Sequence, residues 1–526
     1  MLVLILVMVM YMMYFMVDMA YGNPYGNHQL SIDQIPQFLE IPLMHTHSYN
    51  ADLGLPIMGS AVIDIDADGT EELFLGGGPG QKDQIFTYQE EGFVVSTEKH
   101  GLTKSTESAT YGTAVVDTNG DGYDDLYVAR NDGVYLYLNN SGVLIEQKLD
   151  LEFDESSVPL SLAVGDINKD NHPDLYVSAY LKPELIEGIT IFNREDYGGQ
   201  SLFFVNNGDG TFTDSTDVAG LRYLHNTFQA SFVDFDLDGE QDLVVAHDTG
   251  VVKTWRNNGD MTFTDIPNPS SDVFAYPMGI AIGDYNNDGL TDLAFSNIGD
   301  MGPMTPLVRG DLRDDQVLNH YLMLWENKGD FVFEDVAKES KVQDYEFGWG
   351  LVLEDFNNDT LEDLVVAQNY ISLPPHKVFR APSRFLLQGD NGFATVEKDA
   401  GTTNRKFSIA PLYADFNNDG QLDLVYPNLG DNSRVFINQG NNTPYVGVVL
   451  PNETKNYGAE VTVISGETSY TKTLSVSEGL ASDATHRLLF GLPGVESIDR
   501  IDVVLLNGSK VSLDNPQINS YVKIYE

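Results

Sequence analysis

Short runs of β-branched and aromatic residues recur along most of the chain in pairs, each pair flanking a nine-residue polar loop, which reads as strand, loop, strand. Before the loops stand AVI, AVV, LAVG, SFV, IAIG, LVLE and LYA; after them come ELFLGG, DLYVAR, DLYVSA, DLVVAH, DLAFSN, DLVVAQ and DLVYPN. A second hairpin signal follows, clearest in SLFFVNNGDGTFTDST from Ser201, VVKTWRNNGDMTFTDI from Val251 and YLMLWENKGDFVFEDV from Tyr321, and weaker from Gln84, Val134 and Arg384. Asn and Gly between alternating apolar residues favour tight turns. The loops begin at Asp64, Asp117, Asp166, Asp234, Asp284, Asp355 and Asp415, a period of 49 to 71 residues that suits propeller blades. Four strands per unit and seven units predict an all-β chain, a seven-bladed β-propeller followed by a small, sandwich-like C-terminal β-domain. Trp255, Trp325 and Trp349 are expected in the core or packing the blades. Insertions near residues 180–200, 300–320 and 370–384 are expected as loops on one face.

The loops carry the chemistry. In one frame they read DIDADGTEE, DTNGDGYDD, DINKDNHPD, DFDLDGEQD, DYNNDGLTD, DFNNDTLED and DFNNDGQLD. Oxygen donors at positions 1, 3, 5 and 9, with the position-7 carbonyl, are what a hard divalent cation needs, and calcium takes 6–8 such ligands at roughly 2.3–2.6 Å. The expected sets are Asp64, Asp66, Asp68, Thr70 and Glu72 in the first loop; Asp117, Asn119, Asp121, Tyr123 and Asp125 in the second; and Asp166, Asn168, Asp170, His172 and Asp174 in the third. The fourth has Asp234, Asp236, Asp238, Glu240 and Asp242; the fifth Asp284, Asn286, Asp288, Leu290 and Asp292. The sixth has Asp355, Asn357, Asp359, Leu361 and Asp363, and the seventh Asp415, Asn417, Asp419, Gln421 and Asp423. Up to seven Ca²⁺ are therefore expected. The absence of His or Cys at inward positions argues against zinc or copper, and the apolar run at position 12 argues against EF-hands. Gly at position 6 permits the turn back to the ion. Asn171 and Thr360 replace it, and β-branched Thr360 makes the loop at Asp355 the expected weakest.

Charge narrows the partners. With 29 basic and 79 acidic residues the formal charge is −50, which disfavours nucleic acid and anionic lipid; seven bound Ca²⁺ would bring it to roughly −36. The chain has no Cys, so it has neither disulfides nor thiol chemistry. Self-repulsion predicts an apo form less stable than the calcium form.

The repeats resemble the FG-GAP/VCBS family, whose calcium loops are shared with the integrin α-subunit propeller. NYGAEVTV from Asn456, SEGLASDATHRLLFGLP from Ser477 and IDRIDVVLLNGSK from Ile498 resemble the ASPIC/UnbV domain found behind such propellers. The architecture is similar to that of bacterial surface and secreted proteins and of the cartilage acidic proteins. The resemblance implies a calcium-stabilised extracellular propeller and is a poor guide to activity.

The amino terminus, MLVLILVMVMYMMYFMV, suits a signal-peptide core with cleavage after Ala20, although no Lys or Arg precedes Lys82. Expected boundaries are residues 1–20 for a signal peptide or anchor, 21–45 for a linker, 46–440 for the propeller and 441–526 for the C-terminal domain. The expected function is a secreted, periplasmic or cell-surface module for adhesion or matrix interaction, binding an extracellular protein or glycan. The alternative is a carbohydrate-active enzyme, a polysaccharide lyase or hydrolase with a cleft on the insertion face; a structural subunit of an envelope assembly is a third. His225, His247, Tyr223 and His376 are the groups such an enzyme would draw on, but a His at a strand end is more often structural, and no catalytic residue is assigned. Sequons stand at Asn139, Asn452 and Asn507.

Overall fold

The computed structural model describes residue 30 and residues 34–49, 54–90, 92–186, 197–299, 316–369, 381–440 and 442–525. The expected signal or anchor, His376 and most of the three insertions lie outside them. Among the described residues no helix is long and apolar enough to cross a membrane.

Among the described residues, six of the seven repeats fold as four antiparallel strands in chain order, and the seventh supplies three. In the second these are Thr110–Val116, Asp125–Arg130, Gly133–Asn139 and Leu144–Lys148. The first two strands are buried along their whole length, whereas the fourth is mostly exposed, so the inner strands read as continuous apolar runs and the outer one as polar. The seven innermost strands are Ser60–Ile63, Thr110–Val116, Ser157–Gly165, Thr227–Val233, Ile280–Gly283, Gly348–Glu354 and Leu412–Ala414. Successive members pack together, the last returns to the first, and the Gly350 N–H donates to Ile409 O just ahead of the seventh strand at 2.6 Å. The chain is thus all-β, with four-stranded sheets arranged as propeller blades are. Trp255 packs against the third sheet's Phe203 layer and Trp325 against Phe295, both buried.

The seventh sheet takes its outermost strand from the other end of the chain. Residues 21–45 were expected as a linker, but Phe38–Thr46 pairs antiparallel with Asn432–Asn438. Ile41, Leu43 and His45 face inward while Glu40, Pro42 and Met44 face out, the period-2 pattern of a half-buried strand. Pro42 is tolerated because, among the described residues, nothing pairs on the strand's far side.

The C-terminal region forms a three-stranded sheet of Tyr445–Val449, Leu488–Gly491 and Ser520–Lys523 and a four-stranded sheet of Glu460–Ser465, Thr468–Thr473, Arg500–Val504 and Lys510–Asp514. It is not a separate appendage. Residues 477–485 run into the middle of the ring and bond to its innermost strands. Ser477 O accepts from Gln229 Nε2 at 2.8 Å and from Ser231 Oγ; Gly479 and Ile280 exchange backbone hydrogen bonds at 2.6 and 2.8 Å. Ser482–Asp483 pairs in parallel with Ser60–Ala61, the Val115 N–H donates to Asp483 Oδ2 at 2.6 Å, and Tyr413 OH donates to Glu478 Oε1 at 2.6 Å. Leu480 completes an axial cluster with Tyr111, Leu160, Trp349 and Ile409. Gly479 holds φ +86°, and a Cβ on the facing Gly279 would stand 2.7 Å from its carbonyl oxygen, so backbone meets backbone on the axis.

Candidate metal centres

All seven acidic loops lie between the first and second strands of a sheet, and their internal hydrogen bonds are nearly identical. The position-1 carboxylate accepts from the N–H groups of positions 5 and 6: Asp64 from Asp68 and Gly69 at 3.1 and 3.0 Å, Asp234 from Asp238 and Gly239 at 3.2 and 2.9 Å, Asp415 from Asp419 and Gly420 at 2.9 and 2.6 Å. The position-5 carboxylate accepts from the position-7 N–H, as Asp170 does from His172 and Asp288 from Leu290, both at 2.9 Å. Side chains at position 7 are therefore not needed for the loop. Position 6 has positive φ throughout, including Asn171 at 64° and Thr360 at 81°. Position 4 does too, at Ala67, Gly120, Lys169, Leu237, Asn287, Asn358 and Asn418, which the sequence reading did not register.

Thr360 is the strained member, because a β-branched side chain fits the left-handed region poorly. Thr360→Gly is expected to stabilise the protein by about 1 kcal/mol, read as a higher midpoint in urea unfolding; an unchanged or lower midpoint would show that the turn carries no strain.

Position 9 ties each loop to its own sheet. In six loops one oxygen accepts from the position-2 N–H and the other from the backbone N–H of a residue at the end of the third strand; Asp242 does this with Phe235 and Asn257, both at 2.9 Å, and Asp423 with Phe416 and Asn438 at 3.1 and 2.8 Å; in the first, Glu72 accepts from the Ile65 N–H and Thr87 Oγ1, both at 3.1 Å. In the six, the third-strand residue is Asn139, Asn206, Asn257, Asn327 or Asn438, with Gln388 in the sixth sheet. Asn327 Nδ2 donates to Thr291 O at 3.2 Å in its own sheet and to Phe235 O in the preceding loop at 3.0 Å. Asn139 and Asn438 reach Ile65 O and Phe356 O in the same way. These brackets between neighbouring sheets were missed, although the Asn ending five of the third strands was visible as a repeat. Asn327→Ala is expected to cost about 2–3 kcal/mol by stranding buried carbonyls, measurable by chemical denaturation; a loss under half a kcal/mol would contradict the bracket. Asn139, the first sequon residue, is buried in such a bracket and not free for modification.

In two loops the oxygens come together without being satisfied by the protein. Ligand atoms of Asp64, Asp66 and Asp68 lie within 4.8 Å of one another, as do those of Asp234, Asp236 and Asp242. The position-3 oxygens Asp66 Oδ1 and Asp236 Oδ1 are buried and have no hydrogen-bond partner, while their outer oxygens meet Lys99 Nζ at 2.8 Å and Arg256 Nη2 at 2.7 Å. A buried, unpaired carboxylate oxygen facing two other carboxylates is what a bound cation would satisfy. In the third, fifth, sixth and seventh loops Asn holds position 3, its Nδ2 donating to the position-5 carboxylate at 2.9 to 3.0 Å; in the second, Asn119 Oδ1 accepts the Asp121 N–H. Burial also raises the carboxyl pKa values, Asp125 and Asp234 to about 6, Glu72, Asp174, Asp355 and Asp415 to about 7, and Asp242 and Asp292 to about 8, and it holds Asp363 and Asp423 well above the ordinary carboxylate range.

The first loop departs from the expectation that no nitrogen stands inward. His100, from the end of the first sheet, brings an imidazole nitrogen within 4.8 Å of carboxylate oxygens of Asp66 and Glu72.

The C-terminal region covers the face that carries these loops. Asn452 O accepts the Asp117 N–H at 2.7 Å, Tyr521 OH donates to Asp415 Oδ2 at 2.7 Å, and Arg487 meets Asp64 Oδ2 at 3.1 Å and Gly69 O at 2.9 Å. Between it and the first two loops lies a cavity of about 340 Å³ lined by Asp64, Asp117, Asp124, Asn452, His486 and Arg487 among others.

An FG-GAP-like repeat model matches residues 64–128, 117–177 and 234–295, and an ASPIC and UnbV model matches residues 450–526. The chain carries FG-GAP-like repeats and an ASPIC and UnbV domain. The chain is 24% identical over 195 residues to human cartilage acidic protein 1, covering 36% of this chain, and 30% identical over 135 residues to the Xenopus tropicalis protein, covering 24%. The matches span 28% and 19% of those relatives' lengths. Similar solved structures include BBS1N in complex with ARL6DN, with TM-score 0.42, 12% identity and 77% and 96% of the two chains covered. The Bacillus licheniformis rhamnogalacturonan lyase PL11 gives 0.38, 11%, 77% and 76%.

Of the groups an enzyme would draw on, His225, His247 and Tyr223 come together. The two imidazoles lie 4.3 Å apart, Tyr223 OH is 2.8 Å from His247 Nε2, and the Nδ1 atoms meet Val251 O and Asn226 O at 2.9 and 3.1 Å. Burial pulls His225 down to about 4 and His247 well below the ordinary imidazole value, so both are neutral at physiological pH.

Proposed function

We propose that this chain is a calcium-loaded, seven-bladed β-propeller capped by its C-terminal β-domain, exported to the cell surface, periplasm or medium, where it binds an extracellular protein or glycan. The observation that carries the cation reading is the pair of buried, unpartnered oxygens Asp66 Oδ1 and Asp236 Oδ1, each facing further carboxylates. Calcium suits loops whose inward donors are all oxygen. Binding is favoured over catalysis because the axis, where propellers commonly hold a ligand, is filled by residues 477–485, and because the His225, His247 and Tyr223 side chains are bonded to one another or to backbone carbonyls. The formal charge of −50 points to a ligand bearing cationic groups. Glycan and matrix-protein arrays probed with the calcium-loaded protein test this. Retention without turnover that disappears on chelation is expected; polysaccharide cleavage abolished by His225→Ala would overturn the reading in favour of an enzyme.

A further inference from the structure

The first loop differs from the other six in one residue that lies outside it. His100 is fully buried in the turn closing the first sheet, where its N–H donates to Ser96 O at 3.2 Å and the Leu102 N–H to Thr97 O at 3.1 Å. The same turn closes the third and sixth sheets. There the equivalent residues are Ala219, donating to Ser215 O, and Ala400, donating to Val396 O, both at 2.8 Å; in the fifth it is Ser340. The turn thus needs nothing larger than alanine, yet the first sheet places an imidazole in it and aims it at its own acidic loop.

The hydrogen bonds fix which nitrogen faces that loop. His100 Nδ1 lies 2.9 Å from Gly142 O, a pure acceptor, so Nδ1 carries the hydrogen and Nε2 presents a lone pair. Nε2 is buried and has no partner. The imidazole brings a ring nitrogen within 4.8 Å of carboxylate oxygens of Asp66 and Glu72, and Nε2, unlike Nδ1, is not already engaged; Asp66 Oδ1 is itself buried and unpartnered. Glu72 already accepts from Ile65 N–H and Thr87 Oγ1, both at 3.1 Å, and cannot donate as a carboxylate. With Glu72 ionised, lone pairs converge here with no donor among them, whereas Lys99 holds only the outer oxygen of Asp66. Such a cluster costs folding free energy unless a cation sits at its centre.

We propose that the first loop is a mixed nitrogen and oxygen site for a first-row transition-metal dication, with His100 Nε2, Asp66 and Glu72 as ligands and Asp64 and Asp68 completing the oxygen side. The assignment rests on reading the acidic loops as cation sites, and it separates this loop from the rest. Calcium prefers an all-oxygen shell, whereas imidazole beside carboxylates suits zinc, manganese, iron or cobalt. The fourth loop is the internal control, since it repeats the Asp-x-Asp-x-Asp sequence with Asp242 at position 9 and has no His, Cys or Glu in its cluster. The Nδ1 bond to Gly142 O supplies the backbone support that orients metal-binding imidazoles.

Co²⁺ serves as the probe. Metal-stripped full-length protein is dialysed against Co²⁺ in a large excess of Ca²⁺, and both metals are measured per chain, with the visible spectrum reporting nitrogen ligation. One Co²⁺ per chain is expected to remain. His100→Ala, which installs the residue that the third and sixth sheets tolerate, is expected to weaken Co²⁺ retention at least about tenfold and to leave Ca²⁺ in the other loops unchanged. Retention of Co²⁺ by His100→Ala at the same affinity, or its absence from the wild-type protein while Ca²⁺ fills the loops, would overturn the assignment. Failure of Ca²⁺ to bind any loop would instead overturn the broader calcium reading on which it rests.

Discussion

Chelating calcium at neutral pH is expected to lower the melting temperature by about 15 °C, because several sites contribute together. A site held at a hundred times its dissociation constant adds about 2.7 kcal/mol, so six oxygen-lined loops supply about 16 kcal/mol, against an unfolding entropy of about 1.1 kcal/mol per kelvin for a chain of this length. The apo form should also respond to pH in the sense opposite to ordinary acid denaturation. Burial raises the carboxyls of Asp242 and Asp292 from the ordinary value near 4 to about 8. Their protonated forms therefore favour the folded state below about pH 4, and that contribution is lost as pH rises through 8. Apo stability should fall across this window while the calcium increment grows, since the ion binds the ionised carboxylates that burial disfavours. Scanning calorimetry at pH 5 and pH 8, with and without a chelator, measures both. A calcium effect that is small and equal at the two pH values would contradict the account.

The second large effect concerns the axis. Leu480→Ala is expected to cost about 3 kcal/mol, the usual consequence of removing a fully buried leucine that its neighbours cannot replace. Leu480 packs among Tyr111, Leu160, Trp349 and Ile409, drawn from separate parts of the ring, and its loop bonds to strands of the first, second, fourth, fifth and seventh sheets. The C-terminal region and the ring should accordingly unfold in one transition, and the substitution should shift that whole transition. Two separate transitions, with only the smaller one displaced, would show that residues 477–485 rest in the ring without holding it.

The spacing of oxygen donors made the loops and their strands legible in the sequence, because both depend on residues within one repeat. What escaped depends on distant partners. Phe38–Thr46 carries its alternation of Ile41, Leu43 and His45 in plain view, but its pairing with Asn432–Asn438 spans nearly the whole chain and left no local turn signal. SEGLASDATHR reads as a polar loop, and only the ring of strands around it explains why Ser477, Glu478 and Asp483 are buried. His100 was invisible as a ligand for the same reason, since it approaches the first loop from the far end of its sheet. The strain at Thr360 was readable, because it follows from the side chain and the turn alone.

Asp236→Ala offers the most direct measurement of the central claim that the acidic loops hold cations. Without metal, the side chain contributes an ion pair with Arg256 and a buried oxygen that bonds to nothing. Its removal from the apo protein should change stability by less than about 1 kcal/mol, whereas in calcium the same substitution should cost about 2–3 kcal/mol and one bound ion per chain. Equal effects with and without calcium, together with an unchanged number of bound ions, would contradict it.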